Sequence, residues 1–190
     1  DLYFGYSASK NIISGHIFFP KDKKIIRAVS KKSWKYRDEN FNNNTQTMAV
    51  YDKSGKKHQL STESETVKVS VSQLLKFIEN NLNSSNKDGH NALFISYNIP
   101  AKQKGVTYSP EKGIFEITKK KQEYGRLDLR HAVAVTGVEK DFYGRVIGLK
   151  IVNSYGEGIG QKGIMHMSKD FISEFLFDVV YVGNSADILN

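Results

Sequence analysis

Two side chains carry the chemistry this sequence offers: His131, at the head of the apolar run HAVAVTGV, and Asn153, which opens the run NSYGEGIGQKGI. An imidazole titrates near neutrality, so it can take a proton in one step and return it in the next. A side-chain amide beside it accepts the ring N–H, fixes tautomer and orientation, and leaves the other nitrogen facing a nucleophile. Tyr155, just after the Asn, is expected to lie over that hydrogen bond and keep water out. The glycines at 156, 158, 160 and 163 predict a loop that folds back closely, because glycine adopts backbone angles other residues refuse. They are not set between a strand and a helix, so a phosphate-binding reading is rejected.

These groups need a frame, and the surrounding residues predict one. Residues 131–138 are small and β-branched enough for a central strand with His131 at its start. Residues 139–144 then turn the chain into 145–152, an antiparallel partner, so Asn153 emerges from the end of a neighbouring strand. Upstream, Val67, Val69 and Val71 alternate as a strand, and Ser70 or Ser72 caps a helix whose Leu74, Leu75, Ile78 and Leu82 share one face. Residues 92–99 (ALFISYNI) read as a buried strand stopped by Pro100. A Lys-rich connection over 101–125 holds one short strand, 113–118. Beyond the glycine loop, 164–167 resumes a strand, Ser168 caps a helix over 169–177, and 178–182 is a final strand. Phe171, Phe175 and Phe177 are expected in the core.

The first third is less regular. A short helix begins within residues 4–13, 24–29 forms a strand, and 31–47 is a basic, Asn-rich loop. Residues 48–51 and 56–60 flank Asp52-Lys53-Ser54-Gly55 as a hairpin. With no internal repeat and no linker, residues 1–66 are expected to be a β-rich part of the same domain as 67–190, which bears the site.

Composition narrows the function classes. The 190 residues include 39% hydrophobic and 12% aromatic side chains, enough for a folded core. No run approaches the ~18 apolar residues of a membrane span. Beginning at Asp1, the chain is expected to be a processed product or a trimmed piece, and compartment is not indicated. The +8 formal charge, 28 Lys plus Arg against 20 Asp plus Glu, comes in short lysine runs that read as solvated turns. Without a nucleic-acid motif or interleaved aromatics, nucleic-acid binding is not expected. His16, His58, His90 and His166 have no partners at ligand spacing, so no metal or other cofactor is expected. Asp128 and Asp141 suggest a carboxylate pair, but nothing in the sequence fixes them together.

The stretch from Leu129 to Met167 resembles the second half of a papain-like cysteine peptidase. His131-Ala132-Val133 matches that family's His-Ala-Val strand, and Asn153-Ser154-Tyr155-Gly156 followed by Gly158, Gly160 and Gly163 matches its Asn-Ser-Trp-Gly loop. The closing run from Met167 through Val180 resembles the bleomycin hydrolase or aminopeptidase C branch. The resemblance implies an α+β, papain-like fold, with this chain supplying mainly the antiparallel β-barrel half. It implies His131 as general base and acid, Asn153 as its orienter, Tyr155 in the shielding place usually held by tryptophan, and Arg130 and Ala132 lining the substrate cleft. Both loop tryptophans are replaced, by Tyr155 and Ile159.

The family's nucleophile is a cysteine about 130–150 residues before the histidine, at the start of a helix, and this chain contains none. Ser7 is the one early residue arguable as a replacement, and no glutamine precedes it. Three explanations fit: a heavy chain whose cysteine sits on a separate light chain, a non-catalytic binding or scaffold module on the same fold, or a truncated piece.

Overall fold

The computed structural model describes residues 2–8, 11–17, 24–34, 46–51, 57–62, 64–83, 93–119, 123–152 and 156–189. In chain order the elements are β1 (Leu2–Ala8), β2 (Asn11–Ile17), β3 (Lys24–Ser30), β4 (Gln46–Tyr51), β5 (Lys57–Thr62), β6 (Ser64–Val69), α1 (Val71–Asn83), β7 (Leu93–Pro100) and β8 (Val106–Ser109). They continue as β9 (Ile114–Ile117), β10 (Arg126–Lys140), β11 (Val146–Val152), β12 (Ile164–Ser168), α2 (Lys169–Phe175), β13 (Leu176–Gly183) and α3 (Ala186–Leu189). Nine strands form one sheet in the order β6-β3-β13-β7-β10-β11-β12-β9-β8. The pairs β3–β6 and β9–β12 are parallel and the rest antiparallel. The α+β class expected from the sequence holds, with the sheet open rather than closed into the expected barrel half.

One face of the sheet carries the core. Side chains alternate along each strand, so Leu93, Ile95 and Tyr97 of β7 share a face, as do Val133 and Val135 of β10, and all are buried. The helix α1 is started by a reciprocal capping pair: Ser70 Oγ accepts the Gln73 backbone N–H at 3.2 Å, and Gln73 Oε1 accepts the Ser70 backbone N–H at 2.9 Å. Its buried Leu74, Leu75, Phe77 and Ile78 then cover the sheet, with the Phe77 ring 4.3 Å from that of Tyr181. In α2 the cap is Ser168, whose Oγ accepts the Phe171 backbone N–H at 3.2 Å, and Phe171, Ile172 and Phe175 are fully buried.

Several boundaries differ from expectation. The expected helix within 4–13 is instead the antiparallel pair β1–β2, with Tyr6 opposite Ile13, consistent with the strand preference of its aromatic and β-branched residues. Ser7 therefore sits inside a strand, opposite Ile12, and not at a helix start. The expected hairpin is present as β4–β5, Tyr51 facing Lys57, while its turn lies outside the described residues. The connection over 101–125 holds a strand that was not anticipated, β8, paired antiparallel with β9. Beyond β13, short α3 adds an element after the last expected strand.

Candidate active site

The strand that carries His131 is longer than the apolar run suggests. It begins at Arg126, so His131 lies within β10 and not at its mouth. Register places His131 opposite Tyr97 of β7. The imidazole is half-buried and meets the Tyr97 ring edge-on, centroids 5.8 Å apart at 82°. Tyr97 is itself fully buried, within ring contact of Tyr108, Phe115 and Phe171 at 6.2, 5.8 and 6.0 Å. Its hydroxyl stands 3.4 Å from that of Tyr108. The imidazole thus rests on a packed aromatic cluster, and such edge-on pairs restrict ring orientation.

Arg130 and Ala132 flank the histidine and, by strand alternation, turn to the other face, where both are exposed. Arg130 is opposite Asn98 and Ala132 opposite Ser96. The Arg130 guanidinium lies 3.7 Å from the centre of the buried Phe177 ring. Beside it, buried Asp178 accepts a hydrogen bond from Ser96 Oγ and pairs with Arg27 Nε at 3.1 Å. Burial pushes the Asp178 carboxyl up, against the pull of Ser96, Arg27 and Arg130.

Asn153 and Tyr155 lie outside the described residues. What is described is the strand that delivers them: β11 ends at Val152, opposite Ala134 on the same strand as His131. The loop re-enters at Gly156, with Gly156, Gly160 and Gly163 all at positive φ. Gly160 is the tightest: a Cβ there would sit 2.5 Å from the Ile164 carbonyl oxygen, and one on Gly113 would come within 2.9 Å of Gly160 Cα. Gly160 therefore serves a close approach to Gly113 and to the Ile164 carbonyl beside β12, while Gly156 and Gly158 face open space.

Other side chains weighed from sequence fall elsewhere. His166 of β12 contacts Glu139 of β10 through Nδ1, across the intervening strand β11. Asp141 closes the β10–β11 turn, accepting the Arg145 and Tyr143 backbone N–H groups at 2.9 Å each and the Arg145 guanidinium. Those bonds, the Arg145 backbone one foremost, hold its carboxyl below its usual range. Asp128 is separate from it, exposed on the first part of β10. Among the described residues no cluster of three His, Cys, Asp or Glu side chains could hold a metal ion, and no helix is long and apolar enough to cross a membrane. Sequence reasoning missed Tyr97, Asn98 and Arg126; the alternation of Leu93, Ile95 and Tyr97 was the signal for the first.

Comparison with known proteins bears on this segment. The family model described as Peptidase C1-like family matches residues 111–185, a span that includes β10, β11 and the glycine loop. Over these residues the chain is similar to that peptidase family. The chain is also similar to aminopeptidase C of Streptococcus thermophilus, 39% identical over 61 residues, which are 30% of this chain and 14% of that protein. In three dimensions, the crystal structure of pepw from Lactobacillus rhamnosis superposes with a TM-score of 0.50 and 15% identity, over 98% of this chain and 43% of that one. That likeness shows the fold. The match covers 14% of the first relative and 43% of the second, and the family-matched segment carries the histidine strand.

Proposed function

We propose that this chain is the histidine-bearing half, a heavy chain, of a cysteine-type peptidase that hydrolyses peptide bonds. The observation that carries the reading is His131, placed within the family-matched segment on β10 and seated edge-on against buried Tyr97. In the proposed reaction a thiolate from a cysteine-bearing light chain attacks the scissile carbonyl. His131 first takes the thiol proton, then donates it to the leaving amine, and the thioester is hydrolysed by water that His131 deprotonates. Asn153 accepts the other imidazole N–H, and Tyr155 shields that bond. Arg130 and Ala132, which flank the histidine along β10 but turn to its other face, are not assigned to the histidine's side of the cleft. No cofactor is called for.

A second reading keeps the fold and drops the chemistry. The absence of any cysteine in these 190 residues favours a binding or scaffold module. The two separate on Asn153. If it orients the imidazolium, its charge-assisted hydrogen bond is worth about 1.5–3 kcal/mol, so Asn153→Ala should slow alkylation of the light-chain thiol by roughly 10- to 150-fold. Equal alkylation rates in the variant and its parent would remove Asn153 from the mechanism.

A further inference from the structure

An open cleft of about 540 Å³ lies beside β10, lined by Asn98, Tyr124, Arg126, Leu127, Asp128 and Arg130. Asn98 and Arg130 are register partners. By strand alternation they occupy the face opposite Tyr97 and His131. Asn98 is 5% exposed, and its Nδ2 is buried with no hydrogen-bond partner. Buried amide donors are nearly always satisfied, so an unpartnered one in the wall of a cleft points to an acceptor that arrives from outside.

The charges around the cleft say what kind of acceptor. Arg126 Nη2 donates to the Glu174 carbonyl oxygen at 2.6 Å and to its carboxylate at 3.0 Å, and the same carboxylate meets Lys32. Arg27 pairs with Asp178, which Arg130 also attracts. Asp128 is the carboxylate of the lining. Among the described residues of the lining, two guanidiniums, Arg126 and Arg130, stand with this one carboxylate, which favours an anion over a neutral carbonyl. Guanidinium and amide N–H groups together match the two oxygens of a carboxylate. Leu127, Asp128 and Arg130 are exposed, so they can swing to admit an oxygen to Nδ2.

We propose that this cleft is a specificity subsite for a carboxylate of the bound peptide, held by the Asn98 amide and the Arg130 guanidinium. The carboxylate comes from an acidic side chain or from the peptide's C-terminus, and Asp128 accepts a main-chain N–H of the same peptide. The proposal rests on the reading of the chain as half of a peptidase.

Binding tests it without any nucleophile. Three fluorescein-labelled peptides of otherwise identical sequence are titrated by anisotropy: one with an internal Glu and an amidated end, its Gln counterpart with an amidated end, and that Gln counterpart with a free C-terminal carboxylate. One carboxylate peptide should bind about tenfold more tightly than the amidated Gln peptide, and which one does so identifies the source. Arg130→Gln and Asn98→Leu should each abolish the difference, and Asn98→Asp should reverse it. Equal affinities for all three peptides overturn the proposal, as does a preference that survives Arg130→Gln. If Asn98→Leu does not fold, the Asn98 side-chain NH2 resonances of the parent chain decide: they shift when the tighter peptide is added, and unmoved resonances overturn it. Binding of none of the three also overturns the subsite, while the thiol-alkylation experiments, which use no peptide, judge the peptidase reading separately.

Discussion

His131→Ala is expected to lower the rate at which a thiol-directed inhibitor alkylates the light-chain cysteine by about 10²–10⁴-fold at neutral pH, the range that a positioned acid–base group contributes. The cause is the loss of the imidazole that takes the thiol proton and stabilises the thiolate beside it. The His166→Ala variant is the control. His166 contacts Glu139 and has no place in the proposed site, so its removal should leave the alkylation rate unchanged. A His131→Ala protein that alkylates at the parent rate would show that the histidine is a structural residue of β10.

Tyr97→Ala should cost about 3–5 kcal/mol of stability, the range for deleting a large aromatic from a core. Tyr97 is fully buried, and its ring lies against Tyr108, Phe115, Phe171 and His131 at once. Removing it opens a cavity that strands on both sides cannot fill by collapse. Tyr97→Phe keeps the ring and loses the hydroxyl, which contacts that of Tyr108, so it should cost about 1 kcal/mol. Urea denaturation of the three proteins measures both. A loss below about 1 kcal/mol for Tyr97→Ala would mean that the imidazole does not rest on a packed support.

Much of the frame was legible because it obeys local rules. The run of Val and Ala after His131, the turn at 139–144 and the capping serines Ser70 and Ser168 specify β10, β11 and the two main helices from neighbouring residues alone. The start of β10 was not legible. Arg126, Asp128 and Arg130 alternate with Leu127 and Leu129, but those leucines are 44% and 59% exposed, and pairing with β7 shifts register between Arg126 and Arg130. A strand with no buried face there reads as a loop. Tyr97 and Asn98 were hidden for a different reason. Their roles depend on which residues of β10 stand opposite them, and cross-strand register between segments distant in sequence is not written in either segment. His131 and Asn153 are singled out by their spacing and the family resemblance.

The nucleophile is the point on which the account turns. Denaturing mass spectrometry of native, active material treated with a thiol-directed inhibitor tests it most directly. The account predicts two chains, this one of 21.5 kDa unmodified and a second, cysteine-containing chain carrying the inhibitor. Active material that yields only this chain, with no labelled partner, would contradict it.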